Sequence, residues 1–391
     1  MNREAANGPI RVLHVVCTLS LGGIETWLMR ALERADRREV AMDFASYLPG
    51  TDYYAGRARE LGARVHVCAG PERPFRWAKR LRAILDADGP YDVVHAHIQQ
   101  RNGLALRTAA AAGIRARFAH SHNDHSLLRE RAPLWWRAYF EWMQRWTDLH
   151  ATDLLACSNG AGRYLFGSAW NGSPRCLRLP YGIDAPPFRE PVDRDAVRAE
   201  LGLEPGAFVV GHVGRFAEQK NHAFLLDVFR ELATQRRGAR LLLVGGGDLE
   251  ADVRRRAGEL GIDDRVVFAG RRADVPVLMR AAMDVLVMPS LFEGLPVTLI
   301  ESQAAGLPAL VSTRVSDEVD VVGELVDRLP LEAAPASWAK RAVGLAKRRA
   351  DVPAAAALAS VEESPLEIGR SLETLTAAYR ARLGVTPGAA G

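Results

Sequence analysis

Residues 284–301 read DVLVMPSLFEGLPVTLIE, and this stretch decides the fold. The run VLVM is apolar at every position, which is typical of a strand covered on both faces of a parallel sheet. Pro296 is well placed as the first residue of a following helix, because its missing amide hydrogen costs nothing there. The stretch therefore predicts one strand-loop-helix unit of an α/β fold.

The same alternation of short apolar runs with longer amphipathic ones extends along both halves of the chain. The short runs of the first half are IRVLHVVC, VAMDFAS, ARVHVC, DVVHAH, RARFAHS, LLACS and RCLRL. Those of the second half are FVVGHVG, RLLLVGG, RVVFAG, DVLVMPS and LPALVS. We expect two Rossmann-like domains, each a doubly wound parallel sheet.

The length of 391 residues also favours two domains, because single cores stop growing well below that size. Residues 180–205 are rich in proline and charge, which indicates a linker and a short helix. The predicted domains are residues 1–185 and 186–362. The remaining residues, 363–391, contain an apolar helix with no strand after it, and we expect this helix to pack back on the first domain.

Composition excludes little. Apolar residues make up 48%, charged residues 25%, and the net charge of +4 suits an anionic ligand, a phospholipid surface or nucleic acid equally. The scattered arginines form no nucleic-acid platform, so no nucleic-acid partner is expected. Four cysteines without a CxxC pair, and the lack of a signal peptide or a long apolar span, predict a cytoplasmic protein.

The loop LFEGL and the helix start after it have the features of an anion site. Free backbone amides around Gly294, Leu295 and Pro296 and the positive end of the helix dipole suit a pyrophosphate. Glu301 can reach a neighbouring ribose, because helical side chains lean toward the helix start. Glu293 can accept hydrogen bonds from sugar hydroxyls. The alternative is a helix capped for stability, with both glutamates in solvent.

Two further segments end predicted strands at the same edge of the second sheet. In GHVGRFAEQKN, Gly214 precedes Arg215 and Lys220, whose cations can bind a phosphate pair. At Gly245 and Gly246 the missing Cβ atoms allow a bulky ligand to approach. Each segment alone is weak evidence, but carboxyl ends of parallel strands are where such sheets bind nucleotides. The chain lacks both GxGxxG and the P-loop pattern, which disfavours a redox Rossmann enzyme or a P-loop NTPase.

Together these segments resemble the family-4 retaining glycosyltransferases, which have the GT-B fold of two Rossmann-like domains facing across a cleft. Glu293 and Glu301 match the family's Glu-x7-Glu motif, and GHVGRFAEQKN and LVGGGDL match its phosphate segment and glycine turn. In the first half, Gly22 and Gly23 match its glycine loop, and His120-Ser121-His122-Asn123 matches a variant of polysaccharide-type members.

The resemblance implies retaining transfer of a hexose from a nucleotide diphosphate sugar to an acceptor hydroxyl in polysaccharide or glycoconjugate synthesis. It implies a saccharide or lipid-linked acceptor, no cofactor and no metal, with Arg215 and Lys220 stabilising the departing diphosphate. His122 would contact the transferred sugar. The base would be bound around Arg271 and Arg272, and a UDP-sugar is favoured by analogy.

The other histidines are assigned structural roles. His120 is expected to face away from His122. His95 and His97 alternate as metal ligands do, but no acidic or thiol ligand completes a set nearby, so a metal site is disfavoured.

Residues 135–146 hold six aromatic side chains, and Trp135, Tyr139, Trp142 and Trp146 share one helical stripe. A helix buried beneath the acceptor loop is favoured over a contact with the inner face of the cell membrane. The second interpretation stays open because Arg129, Arg131, Arg137 and Arg145 lie nearby.

Two other functions remain open: a GT-B protein that binds sugar nucleotides without turnover, and a GT-B phosphorylase or epimerase. The intact set of Glu293, Glu301, Arg215 and Lys220 argues against the first.

Overall fold

The computed structural model describes residues 8–20, 22–48, 53–68, 73–126, 129, 132–170 and 172–385. The chain forms two compact units. The first unit comprises the residues up to Gly182 and those from Ile368 onward, and the second comprises Ile183–Glu367.

A parallel sheet of seven strands forms the centre of the first unit, in the order β3-β2-β1-β4-β5-β6-β7. Its strands are β1 (Ile10–Val16), β2 (Val40–Ser46), β3 (Val65–Val67), β4 (Val93–Ala96), β5 (Ala116–Ser121), β6 (Asp153–Ala156) and β7 (Cys176–Arg178). The helices between them are α1 (Gly23–Arg34), α2 (Ala55–Glu60), α3 (Pro74–Asp88), α4 (Asn102–Ala111), α5 (Leu134–His150) and α6 (Asn159–Phe166).

A second parallel sheet of six strands, in the order β10-β9-β8-β11-β12-β13, forms the centre of the second unit. Its strands are β8 (Phe208–Val213), β9 (Ala239–Val244), β10 (Val266–Gly270), β11 (Val285–Met288), β12 (Ala309–Ser312) and β13 (Val326–Leu329). Its helices are α7 (Arg194–Glu200), α8 (His222–Gln235), α9 (Glu250–Glu259), α10 (Val275–Ala281), α11 (Val297–Ala304), α12 (Pro335–Leu345) and α13 (Ala354–Glu363).

Each sheet has one place where the strand order reverses. In the first unit it lies between β1 and β4, and in the second between β8 and β11. The chain leaves these neighbouring strands in opposite directions along the sheet, which opens a crevice at their carboxyl ends. Open α/β sheets bind their ligands at that place.

The apolar runs form the strands that their pattern predicts. All four residues of β4 and of β11 are buried, as strands covered on both faces require. In the second unit, Trp338 and Phe229 pack into the hydrophobic core. The prediction of two Rossmann-like parallel-sheet domains is confirmed.

The final helix, α14 (Ile368–Leu383), packs on the first unit. Tyr379 is fully buried there, and its hydroxyl lies 2.6 Å from Nδ1 of His95. The indole of Trp27 donates to Ser371 over 3.3 Å. The units divide at 182/183 and 367/368, where the sequence suggested 185/186 and 362/363. The backbone amide of Ile183 donates to the carbonyl of Leu366. The first and last residues of the second unit therefore run side by side.

Helix α5 exposes Trp135, Tyr139 and Trp142 of its aromatic stripe and leaves Trp146 half-buried, so the favoured expectation of a buried stripe is wrong. Trp135 is 72% exposed and Trp142 is 48% exposed, whereas Phe140, Met143 and Thr147 form the buried face. Arg131 lies outside the described residues. Within the described ranges, no helix combines the length and apolar character needed to cross a bilayer.

Candidate active site

The segment between β8 and α8 carries the predicted phosphate-binding cations. A short 3-10 turn, Glu218–Lys220, follows Gly214 and Arg215, and Asn221 then adopts a left-handed conformation with φ of 53°. Asparagine tolerates this region better than most residues, so α8 can begin directly after the turn. The turn brings Lys220 back toward the end of β8, where its stem passes beside Gly214.

Lys220 and Glu293 form an ion pair in the second unit. Lys220 Nζ lies 2.7 Å from Oε1 of Glu293, and the two side chains are 14% and 7% exposed. Gln219 donates to the other carboxylate oxygen over 3.1 Å and to the carbonyl of Phe292 over 2.9 Å. Both oxygens of Glu293 therefore have protein donors, which excludes the alternative of a solvated glutamate.

The start of helix α11 lies next to this pair. Pro296 is the residue that precedes the first helical turn, and no side chain caps the helix start. The amides of Val297 and Leu299 donate to the carbonyls of Leu295 and Pro296, and Pro296 has no amide hydrogen, so this helix start favours an anion through the positive end of its dipole. Gly294 and Leu295 are buried in the loop before the helix, and Glu301 is only 9% exposed.

The glycine turn after β9 makes a close backbone contact within the protein itself. Gly245 has φ of +144°, and a Cβ there would collide with the carbonyl of Gly214. A Cβ at Gly246 would lie 3.2 Å from Nε of Arg271. The missing side chain at Gly245 therefore allows the ends of β8 and β9 to approach each other. A ligand at this turn would meet backbone atoms.

The arginines of the predicted site differ in their surroundings. Arg215 and Arg271 have exposed side chains. Arg272 instead donates to Asp274 over 2.7 Å and to Glu200 over 2.8 Å. Arg215 and Arg271 are the better candidates for contacting an anion, because Arg272 already holds two carboxylates.

In the first unit, the glycine loop leads into α1. Gly22 precedes the helix, and the carboxylate of Glu25 folds over it where a Cβ would be. A Cβ at Gly23, the first helical residue, would meet nothing within 4 Å. A Cβ at Gly22 would displace only the flexible end of Glu25, whereas Gly23 borders open space that another molecule can enter.

His122 belongs to a chain of hydrogen-bonded rings. Its Nε2 lies 2.8 Å from Nδ1 of His97, and its Nδ1 is bonded to the hydroxyl of Tyr181. His97 Nε2 in turn lies 3.0 Å from Nδ1 of His14. Both ring nitrogens of His122 are occupied and the residue is 2% exposed, so a contact to a sugar requires one of these bonds to open.

The prediction that His120 faces away from His122 is wrong. The two rings lie 4.1 Å apart, because residues two apart along a strand share a face. Burial lowers the pKa of His14 and of His120 to about 3, and the pKa values of His95, His97 and His122 also fall well below the usual range, again chiefly through burial. All five rings are therefore neutral at pH 7.

Sequence reasoning missed His14 and Gln219. His14 lies inside the apolar strand β1, where a single histidine carries no pattern. Gln219 lies between Arg215 and Lys220 in the sequence. Its amide was overlooked because only the charged side chains of this segment were considered as ligands. The second unit brings together Lys220, Glu293, Gln219 and the start of α11, and the first unit contains His122, Gly22 and Gly23.

Each of the two units matches a model of a known protein family. Residues 193–343 match the family model described as "Glycosyl transferases group 1", and residues 22–182 match the one described as "Glycosyl transferase 4-like domain". The two matches lie one in each parallel-sheet unit.

Relatives match over most of their length. EpsF of Bacillus subtilis (strain 168), named as a glycosyltransferase, is 35% identical over 84% of this chain and 86% of its own. The UDP-Gal:alpha-D-GlcNAc-diphosphoundecaprenol alpha-1,3-galactosyltransferase of Escherichia coli is 26% identical over 79% and 81%. The crystal structure of Anabaena Alr3699/HepE in complex with UDP superposes with a TM-score of 0.78 at 18% identity, over 95% of this chain and all of the other. The chain belongs to the group 1, family-4-like glycosyltransferases of the GT-B fold.

Proposed function

We propose that the protein transfers a hexose, with retention of anomeric configuration and without a metal ion, from a UDP-sugar to an acceptor hydroxyl in polysaccharide or glycoconjugate synthesis. The observation that carries this proposal is the Lys220–Glu293–Gln219 group beside the uncapped start of α11. It lies next to the strand-order reversal of the second sheet, where nucleotides bind in such folds.

The chemistry of this group suits a departing diphosphate. Lys220 and exposed Arg215 provide positive charge where negative charge grows as the glycosidic bond breaks, and the positive end of the α11 dipole acts in the same direction. These groups would supply the charge stabilisation that a divalent cation supplies in other transferases. Glu293, held by Lys220 and Gln219, would accept hydrogen bonds from sugar hydroxyls, and Glu301 would bind the ribose.

Retention needs no second nucleophile if the acceptor attacks from the side of the leaving group. In that mechanism the departing phosphate takes the acceptor proton, and the protein orients both substrates. His122 is our candidate for the contact to the transferred sugar. Gly23, beside open space, is our candidate for the approach of the donor phosphate in the first unit.

The uridine donor is supported by names among the relatives. The Escherichia coli relative is named for UDP-Gal, and HepE structures are titled with UDP and UDP-glucose. Arg271, exposed beside Gly246, is the candidate for contacts around the base.

The acceptor is proposed to be lipid-linked and reached at the inner face of the cell membrane. The exposed stripe of α5 has aromatic rings of the kind that lie at membrane interfaces, with Arg137 and Arg145 exposed on the same helix. The carboxylates of α5 are paired, Glu141 with Arg129 and Asp148 with Arg175, so they offset little of that positive charge. The acceptor named for the Escherichia coli relative is a diphosphoundecaprenol, which supports this choice.

The donor proposal is tested by thermal stabilisation with UDP-, GDP-, ADP- and TDP-sugars, each with and without chelator. We expect a shift with UDP-sugars that the chelator leaves unchanged. A shift that disappears with chelator would contradict metal independence, and no shift with any sugar nucleotide would favour a protein without donor binding. The anomeric configuration of the product, measured by NMR, tests retention, and turnover with inorganic phosphate in place of nucleotide would indicate a phosphorylase.

Membrane contact is tested by co-sedimentation with anionic phospholipid vesicles. We expect Trp135→Ser combined with Trp142→Ser to abolish binding and to change the free energy of unfolding by less than about 0.5 kcal/mol, because both rings are exposed. Leu249→Ser, at a partly exposed apolar residue of the second unit, is the matched control. Equal binding of the double variant and the wild type would remove this part of the proposal.

A further inference from the structure

Five histidines form a cluster at the strand-order reversal of the first unit: His14, His95, His97, His120 and His122. The proposed transfer uses only His122 among them. We propose that His14, His95 and His97 bind one divalent transition-metal ion of the zinc class, at a site separate from the donor chemistry of the second unit.

The three side chains have the spacing of a metal site. One ligand atom from each lies within 4.8 Å of the others. His14 Nδ1 and His97 Nε2 are 3.0 Å apart. Two nitrogens bound tetrahedrally to zinc at about 2.0–2.1 Å lie about 3.3 Å apart, so the rings of His14 and His97 need to separate by about 0.3 Å. The ligand atom of His95, which lies within 4.8 Å of the other two, needs to come closer to them.

The sheet itself brings the ligands together. His14 in β1 and His95 in β4 are direct partners across the two strands. His97 follows two residues later on the same face as His95, with the two rings 4.1 Å apart. All three residues are at most 2% exposed, so they are held by packing on every side and need little rearrangement to bind an ion.

Two ring nitrogens in this set, Nε2 of His14 and Nε2 of His95, are buried without a hydrogen bond among the described residues, and the one on His95 is available to an ion. A buried polar nitrogen without a partner is destabilising, and a bound metal ion gives it one. Both ring nitrogens of His120 are unpartnered as well, so the nitrogen of His95 supports the site together with the spacing of the three rings.

Two of the ligands also have the outer partners that metal-binding histidines require. Nδ1 of His95 lies 2.6 Å from the hydroxyl of Tyr379, and Nδ1 of His97 lies 2.8 Å from Nε2 of His122. With an ion on each Nε2, each Nδ1 carries the hydrogen and donates it outward, which is the usual arrangement around metal-bound imidazoles.

This arrangement has a consequence for His122. If its Nε2 accepts from His97, its Nδ1 carries the hydrogen and donates to Tyr181. Without an ion the chain of neutral rings has two consistent hydrogen-bond directions, because each imidazole has one donor and one acceptor. The ion selects one direction, so it acts on His122 as a positioning group.

The alternative set of His97, His120 and His122 shares one residue with the first. Occupying it would break the bond between His97 and His122 and would use the ring that the transfer proposal needs. Three neutral imidazoles suit zinc, copper, nickel or iron(II), and the lack of carboxylates among them disfavours magnesium and calcium.

The test is a titration of the full chain, without an affinity tag and after removal of metals by chelator. Zn²⁺ is added in competition with a coloured chelator, to the native protein and to protein refolded from denaturant in its presence. We expect one equivalent bound at micromolar or tighter affinity, and Co²⁺ in its place to give the visible absorption of a four-coordinate site.

Separate variants His14→Gln and His97→Gln should weaken binding at least tenfold. His150→Gln, a histidine on α5 outside the cluster, is the matched control and should bind as the wild type does. Circular dichroism shows whether each variant is folded, and the wild-type titration stands even if a variant is not.

The absence of stoichiometric binding in both native and refolded wild type would overturn the proposal, as would unchanged affinity in both folded variants. Loss of binding in His150→Gln alone would overturn it too. The titration contains no nucleotide, so its failure is distinct from failure of the donor proposal, which is read from stabilisation by UDP-sugars.

Discussion

The two Rossmann-like units share the way their strand order reverses but differ in the chemistry found there. In the second unit the reversal carries an ion pair, Lys220 with Glu293, beside the positive end of a helix. In the first unit it carries five buried histidines whose pKa values burial lowers until the rings are neutral. The fold therefore determines where a ligand binds, and the side chains determine whether that ligand is an anion or an uncharged group.

The difference agrees with the proposed binding of the donor by the second unit. A nucleotide diphosphate needs positive charge, which Lys220, exposed Arg215 and the start of α11 provide there. The imidazoles of the first unit are buried and neutral, which suits a metal ion that needs neutral ligands. Three predictions test this contrast.

The largest effect is expected on acidification. A histidine whose pKa is lowered in the folded state binds protons only when the chain unfolds, so stability is complete above pH 6.5 and falls as the pH drops toward the folded pKa. His14, with a folded pKa of about 3, alone contributes about 1.4 kcal/mol per pH unit over that range. We expect the free energy of unfolding to fall steadily as the pH drops below 6.5.

Hydrogen exchange at pH 7.5 and 5.5, corrected for intrinsic rates and with chelator present, shows which part of the chain loses stability on acidification. The first unit contains seven such histidines, five of them in the cluster, and the second contains two, His212 and His222, so amides of β1 and β4 should lose protection before those of β8 and β11. His14→Gln should make the pH dependence less steep. Earlier loss in the second unit would contradict the contrast.

Lys220→Ala should lower kcat/KM by about 10²- to 10³-fold, because it removes a positive charge from the site of developing negative charge. It also leaves Glu293 buried without the cation that neutralises it, although Gln219 still donates to it, at a cost of about 1–3 kcal/mol in unfolding free energy. UDP release measures the first effect and thermal melting the second.

Two further variants separate these effects. Adding Glu293→Gln to Lys220→Ala should restore much of the stability but none of the activity. Lys340→Ala, at an exposed lysine of the same unit, should change neither. Full activity in the single variant would remove Lys220 from the site.

The smallest effect on stability is expected for Gly23→Ala, because a Cβ there meets nothing and alanine favours the helix. The free energy of unfolding should change by less than about 1 kcal/mol, whereas the apparent KM for the donor should rise if phosphate approaches Gly23. Gly22→Ala is the comparison, since its Cβ only moves the flexible carboxylate of Glu25 and should also change stability little. An unchanged KM in folded Gly23→Ala would leave the glycine loop without a donor role.

The fold was predictable from the sequence because buried parallel strands carry an unmistakable pattern. Runs such as VLVM and VVHA are apolar or buried at every position, and turn residues separate them from helices. The Lys220 and Glu293 segments were also predictable as neighbours, since both end strands of one sheet. Their direct bond was not, because the two residues are 73 positions apart and their contact depends on the loop conformation.

Other features depend on information that local pattern lacks. The spacing of aromatics in α5 identified a stripe correctly, but spacing does not tell which face meets the core. Phe140, off that stripe, is the buried ring. His14 gave no signal because its partners, His95 and His97, come from a strand about eighty residues later. Clusters of this kind become visible only when the strand order is known.

The packing of α14 on the first unit also affects the order of events during synthesis. Tyr379 meets His95 across 284 residues of chain, and Ser371 meets Trp27 across 344. On the ribosome, the second unit has all of its residues once Glu367 has emerged, while the first still lacks its last helix. The unit translated first is therefore the last that can be completed. Until then, chaperones or partial structure must cover the side chains that α14 later buries.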